Sequence, residues 1–309
     1  MLELIKLIKL HTKSFLLIFS LSLNAQEKSL FVLHTNNTNG ALENCYCPDN
    51  PFGAVEKRSI YVNDFIKKNP NTIFVDAGDI FTMGKQFLKD SLMAEAYNLL
   101  PYDAILFGDQ EITMESNILS ELKKIINIPV VSTNFDLEGS VRSIIINKAG
   151  LRIALLGIID EYAIKYYPEE IKDRIKLQDP IEEVKKELSR LKDKVDVIIL
   201  LTHQGTDKDV ALAKEIKDID LIVGAHSQSL LEKPDKVNGA LIVQAGKSGY
   251  QVGVTKLLIK NNKVINSSGR VDTMKFEMSD DPRIMKMIKE YEDRTGRINR
   301  KKLKMIKKQ

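Results

Sequence analysis

Five short apolar runs, ending near Leu33, Val75, Phe107, Leu201 and Val223, each stop abruptly in polar residues. Between and beyond them, residues 54–68, 89–99, 116–124, 181–191 and 209–216 carry apolar side chains at helical intervals. That alternation is the pattern of buried parallel strands joined by helical crossovers. Residues 130–133 supply a further strand, and residues 143–146 and 152–156 flank Lys148-Ala149-Gly150, a hairpin signal. From about Gly239 to Val271 the pattern changes to successive strands, with Asn261-Asn262 as a turn. A β-α alternating front and an antiparallel back predict an α/β protein with two sheets packed face to face between helices. Hydrophobic residues fill 43% of the 309 positions, enough for one sizeable core.

An open α/β sheet gathers its site at the carboxyl ends of its strands. The polar residues at the ends of the runs are therefore the candidates: Asn37 and Asn39, Asp79, Asp109 and Gln110, His203, and His226 and Gln228. Singly, each has a bland reading, since a Gly-Asp is usually a turn and a histidine after a strand is often a core residue. Together, the carboxylates of Asp79 and Asp109 and the imidazoles of His203 and His226 make a four-ligand set for one divalent ion, zinc, iron or manganese.

The ends of the chain read differently. Residues 1–25 have signal-peptide grammar: Lys6, Lys9 and Lys13 precede or flank a short apolar run that closes on Asn24-Ala25. The run is too short to span a bilayer. The expectation is export to the periplasm or beyond, with no transmembrane span in the mature chain; an uncleaved helix lying on a membrane is the alternative. Residues 26–272 form the folded domain, and 273–309 a basic C-terminal helical tail, read as solvated and partly frayed. A formal charge of +4 is too mild to imply a nucleic-acid partner. Cys45 and Cys47 are the two cysteines, and their C-x-C spacing is awkward for an ordinary bridge. A strained local disulfide, a ligand pair and a contact to a partner all remain open.

Six ordered segments, VLHTNNTNG, FVDAGDIF, FGDQE, VIILLTHQG, DLIVGAHSQ and LIVQAGKSGYQVG, resemble the calcineurin-like metallophosphoesterases. The likeness is closer to the catalytic domain of bacterial and animal 5'-nucleotidases and covers roughly residues 30–266. It implies a four-layer α-β-β-α sandwich of two mixed sheets and a two-metal hydrolytic site. The resemblance also shows selective departures. Asn37, Asn39 and Gln228 occupy positions where the family holds its first metal with Asp and His, so that metal is expected to be lost. Asp79, His203 and His226 match the second metal's ligands and Asp109 replaces the family's Asn with a stronger oxygen donor, leaving one ion at most. Gln110 replaces a histidine that helps protonate or polarise the phosphate, and Gln110 and Asn37 are carried as candidate catalytic positions. ENCYCPDNPFGAVEKR resembles a Cys-Gly-Cys motif of an exported nucleotidase-like subgroup.

Three readings follow. The first is a hydrolase of a phosphoester or related ester. The second is a catalytically inactive binding or scaffold module on the same fold. The third is a redox or sulfur-chemistry protein using Cys45 and Cys47, with a sulfur-containing substrate or an exported redox partner.

Overall fold

The computed structural model describes residues 27–44, 46–47, 52–298 and 302. In chain order, β1 (Lys28–Thr35), α1 (Val55–Lys68), β2 (Thr72–Asp76), α2 (Phe87–Tyr97), β3 (Ala104–Ile105), α3 (Asp109–Ile112) and α4 (Ser116–Ile125) come first. The hairpin β4 (Ser143–Lys148) and β5 (Leu151–Ile159) leads through α5 (Glu161–Ile164) and α6 (Glu169–Lys172) to α7 (Pro180–Leu191), β6 (Val197–His203), α8 (Thr206–Glu215) and β7 (Leu221–Gly224). The remainder is β8 (Asp235–Val237), β9 (Ala240–Val243), β10 (Gln251–Lys260), β11 (Lys263–Thr273) and α9 (Pro282–Thr295).

The strands form two mixed sheets, ordered β11-β10-β1-β2-β3 and β4-β5-β6-β7-β9-β8. Residue alternation within each strand builds the layers, because successive side chains point to opposite faces. Leu30 and Val32 of β1, Ile73 and Val75 of β2, Val197, Ile199 and Leu201 of β6, and Leu221 and Val223 of β7 all meet in the core between the sheets. Leu33 and Phe74 turn the other way, toward α1, α2, α4 and α9. Leu200 and Ile222 face α7 and α8 on the far side. Helices therefore cover both outer faces of a double sheet, and each fully buried Leu or Ile contributes roughly 1.5–3 kcal/mol relative to exposure.

Three expectations differ from what the chain does. Residues 130–133 make isolated bridges only, Val130 to Ile105 and Val131 to Val141, while the Thr133 N–H reaches Gly157 O at 2.6 Å. This segment crosses from the edge of one sheet to the other, so it can build a ladder with neither. The late strands are divided: β9 runs parallel to β7 in one sheet, whereas β10 pairs antiparallel with β1 in the other. Helix α9 is not a solvated appendage, for Ile284 and Ile288 are buried and Asp281 accepts from Ser59 Oγ at 2.6 Å while capping it. The leader, Cys45, residues 48–51, 299–301 and 303–309 lie outside the described residues. Among the described residues no helix is long and apolar enough to cross a membrane.

Candidate metal centre

Parallel pairing aligns the carboxyl ends of the strands that carry the candidates. Thr35 is in register with Asp76, Asp76 with Ile105, and Thr202 with Gly224. The loops after β2 and β3 bring Asp79 and Asp109 from one sheet; β6 and the loop after β7 bring His203 and His226 from the other. The site thus straddles the common edge of the two sheets. Asn37, Asn39, Asp79 and His226 all have positive φ (48°, 53°, 59° and 71°), a region that costs most residues about 1 kcal/mol or more.

Both glycines of the Gly-Asp pairs are required by space. A Cβ on Gly78 would lie 2.6 Å from Gly108 N, and one on Gly108 would lie 2.5 Å from both Asp79 Oδ1 and His203 Cε1. Only bare backbone lets the two tips close onto the histidine.

His203 is fully buried, and its Nδ1 lies 2.8 Å from Ala77 O. A carbonyl only accepts, so Nδ1 carries the proton and Nε2 is the atom turned to the cluster. Nε2 lies 2.8 Å from Asp109 Oδ1 and 3.3 Å from Asp79 Oδ1, and His226 Nδ1 lies 3.0 Å from the same Asp109 oxygen. Burial pushes the His203 imidazole down, but the negative charge of Asp79 and the bond to Asp109 more than offset it and hold its pKa well above the ordinary value. Burial likewise opposes the charge on Asp109, yet hydrogen bonds from His203 and His226 keep it below the usual carboxylate range. Tyr167 donates to the second Asp109 oxygen at 2.8 Å.

This donor set fits a divalent cation. The ligand atoms of Asp109, His203 and His226 all lie within 4.8 Å of one another. Ligands held about 2.0–2.1 Å from a tetrahedral ion sit about 3.3 Å apart, close to the spacings here. Asp79 joins through Oδ1, and an ion would replace the proton on His203 Nε2.

The first-metal positions are arranged differently. Asn36 is fixed by the backbone: its Oδ1 accepts from Ala245 N at 2.8 Å and its Nδ2 donates to Gly246 O at 2.8 Å. It also donates to Asn37 Oδ1 at 3.0 Å, which turns the Asn37 Nδ2 onto Asp79 Oδ2 at 2.9 Å. An N–H thus points at the oxygen that a bridging carboxylate would offer to a second ion. Asn39 Oδ1 accepts from Gln110 Nε2 at 2.6 Å, Gln228 is exposed, and the opposite end of the Gln110 amide, Oε1, is buried without a partner among the described residues.

Sequence reasoning named Asp79, Asp109, His203, His226, Gln110, Asn37 and Asn39, and the structure brings these together. Gln228 is exposed and Cys47 half-buried. His34 is a buried core residue. Glu111 was passed over. Its carboxylate accepts from four backbone N–H groups, those of Asp79 (3.0 Å), Ile80 (2.8 Å), Phe81 (2.9 Å) and Gly108 (2.7 Å). The available signal was a glutamate three residues after a helix-opening glycine. Tyr167 and Asn36 carried no signal.

A double mixed sheet with a carboxylate–imidazole cluster at its common edge defines the metallophosphoesterase class of fold. No family model matches the chain. It is similar to an apyrase of Tabanus yao (29% identity, 74% of this chain and 46% of that protein) and to the metallophosphoesterase YunD of Bacillus subtilis (30% identity, 78% and 53%). Its fold matches the crystal structure of a 5'-nucleotidase precursor from Thermus thermophilus at a TM-score of 0.77, with 24% identity over 86% of this chain and 58% of that one. Its relatives are metallophosphoesterases, apyrases and 5'-nucleotidases, and its fold is that of the calcineurin-like 5'-nucleotidases. It spans about half the length of these curated relatives.

Proposed function

We propose that the chain is a hydrolase of phosphoesters that works with one divalent ion, held by Asp79, Asp109, His203 and His226. The hydrogen bond from Asn37 to Asp79 Oδ2 carries the number: it engages the oxygen a second ion would need. A two-metal clamp on attacking and leaving oxygens is then unavailable. A single divalent ion supplies Lewis-acid polarisation of a phosphoryl oxygen and of a water.

The chain's own residues do the rest. Asn36 and Asn37 hold Asp79 in one orientation, Glu111 holds its backbone, and Tyr167 holds Asp109. The Gln110 amide is held by Asn39, and an amide cannot hand a proton to the leaving oxygen. That proton comes from solvent, so turnover is slow. The apyrase and nucleotidase names of the relatives support nucleotide phosphoesters as the class to test first. The leader grammar and a relative described as a precursor support export.

Elemental analysis of the protein as isolated, with a phosphoester panel run on it and on Asp79→Ala, tests the reading. One equivalent of metal and a turnover lost in Asp79→Ala are expected. Bound metal with no hydrolysis of any ester would leave the fold as a binding module, the reading that the Asn37 and Gln110 amides favour next.

A further inference from the structure

We propose that Arg58 is a positioning residue of the metal centre, bracing the loop after β1 against the loop after β2 from beneath. Its consequence for metal rests on the single-ion reading; the brace itself rests on separate residues. The buried stripe of α1 runs through Val55, Arg58, Ser59 and Val62, at i, i+3, i+4 and i+7. A guanidinium therefore stands where the helix period calls for an apolar side chain, and Arg58 is fully buried.

A stack of rings receives it. Phe74 lies on Tyr102 with centroids 3.9 Å apart, and Tyr102 lies on Tyr97 at 4.9 Å, which sets two phenol hydroxyls side by side. Arg58 Nη1 donates to Tyr102 OH at 3.0 Å and to Tyr97 OH at 3.2 Å, while Nη2 donates to Thr38 Oγ1 at 3.0 Å. At the far end the buried Asp76 carboxylate accepts from Thr35 Oγ1 at 2.5 Å, from Tyr97 OH at 3.1 Å and from Gly78 N–H at 2.9 Å. Burial pushes the Asp76 carboxyl up, and the Arg58 charge and these three bonds oppose that. A guanidinium only donates and a carboxylate only accepts, so the hydroxyls between them have one order. Tyr97 and Thr35 give their protons to Asp76, Tyr102 donates to Thr35 at 2.9 Å, and Thr38 donates to Tyr97 at 2.8 Å.

Both ends of this network fall on the site loops. Thr38 lies between Asn37 and Asn39, and the Gly78 N–H held by Asp76 immediately precedes Asp79. Above it the loops are joined by Asn37 N–H to Gly78 O and Asn39 N–H to Asp79 O, each at 2.8 Å. Arg58 thus fixes the loop that presents Asn37 to Asp79 Oδ2. A Cβ on Gly249 would lie 2.6 Å from Nη2, so the guanidinium is enclosed on that side too. Stability does not account for an arginine here. Its Nε is buried without a partner among the described residues, and apolar groups of similar volume often serve as well as a buried charge pair. A planar fork reaches Thr38 and both tyrosines at once, whereas a lysine ammonium is a single point charge.

Hydrogen exchange at the Asn37 and Asn39 amides reads the brace in metal-free protein, and a Mn²⁺ titration reads its consequence. Arg58→Lys and Thr38→Val should each speed exchange at both amides and weaken Mn²⁺ binding about 10-fold. Thr38→Ser, which keeps the hydroxyl, should match the parent in both. Tyr102→Phe removes an Arg58 bond that does not reach the loop, and should lower the urea midpoint without moving either readout. Should Arg58→Lys fail to fold, Thr38→Val against Tyr102→Phe decides alone. Faster exchange confined to Arg58→Lys and Thr38→Val, in a chain that binds no Mn²⁺, upholds the brace and overturns the single-ion reading. Equal changes in Thr38→Val and Tyr102→Phe, or parental exchange in a folded Arg58→Lys, overturn the brace, and Mn²⁺ binding by the parent then leaves the single-ion reading standing.

Discussion

The Asn37 amide donates to Oδ2 of Asp79 at 2.9 Å, while Oδ1 of that carboxylate lies 3.3 Å from Nε2 of His203. One oxygen faces the histidine cluster and the other is capped by a neutral donor. Asn37→Asp would set a second buried carboxylate against Asp79 and remove the capping bond. The expected result is a loss of about 1–3 kcal/mol in metal-free protein, read by chemical denaturation. Manganese or zinc should restore most of that loss, and combining the change with Asn39→His and Gln228→His should raise bound metal from one equivalent to two. A single-site variant as stable as the parent without metal would mean that the Asn37 bond does not hold Asp79.

Glu111 organises both Gly-Asp tips through backbone rather than side chain. Glu111→Gln keeps the shape but substitutes an N–H₂ for one acceptor oxygen, leaving at least one buried backbone N–H without a partner. A loss of about 2–4 kcal/mol is expected, with weaker metal binding because Asp79 is no longer fixed. Urea midpoints and a metal titration check the two effects. An unchanged midpoint would show that the four bonds are dispensable.

The contrast between Glu111 and Asp79 shows what the sequence makes legible. Strand tips ending in Asp or His are visible because an apolar run stops at them, and Asp79, Asp109, His203 and His226 were found on that ground. Glu111, Asn36 and Tyr167 act on those groups from positions with no periodic signal. Sheet membership was equally hidden, since β10 finds β1 across most of the chain, Leu257 opposite Leu30. The charged edge strand β8, Asp235–Val237, lacks the apolar alternation that marks a strand.

His34 provides a pH test away from the cluster. Burial pushes its imidazole down to about 3, whereas in the unfolded chain it titrates near 6.5. Between those values the unfolded state binds one more proton, so stability is whole above about 6.5 and falls as the pH drops toward 3. The slope is about 1.4 kcal/mol per pH unit. A Cβ on Gly253 would lie 2.0 Å from the ring, so the site tolerates nothing bulkier, and His34→Leu is the conservative apolar replacement. From pH 6.5 to 5 the parent should lose about 2 kcal/mol more than His34→Leu. Parallel pH profiles for the two proteins would refute a buried neutral imidazole.

Gln110 separates a slow hydrolase from an inactive scaffold. Its Nε2 is held by Asn39 and its Oε1 is buried with no partner among the described residues, so one end of the amide is placed and the other is unsatisfied. Gln110→His would put a group that can transfer a proton at that position, and positioned general acids contribute about 10²–10⁴-fold. If the one-ion cluster already polarises the ester, kcat should rise by about 10²-fold, with a new limb in its pH profile near the pKa of the introduced imidazole and little change in KM. The metal content should stay at one equivalent, because position 110 is not among the four ligands. A rise in kcat without the new pH limb would point to repositioning of substrate instead of proton transfer. Failure to gain any turnover, in a variant that still binds its ion, would mean that proton delivery is not what the amide withholds.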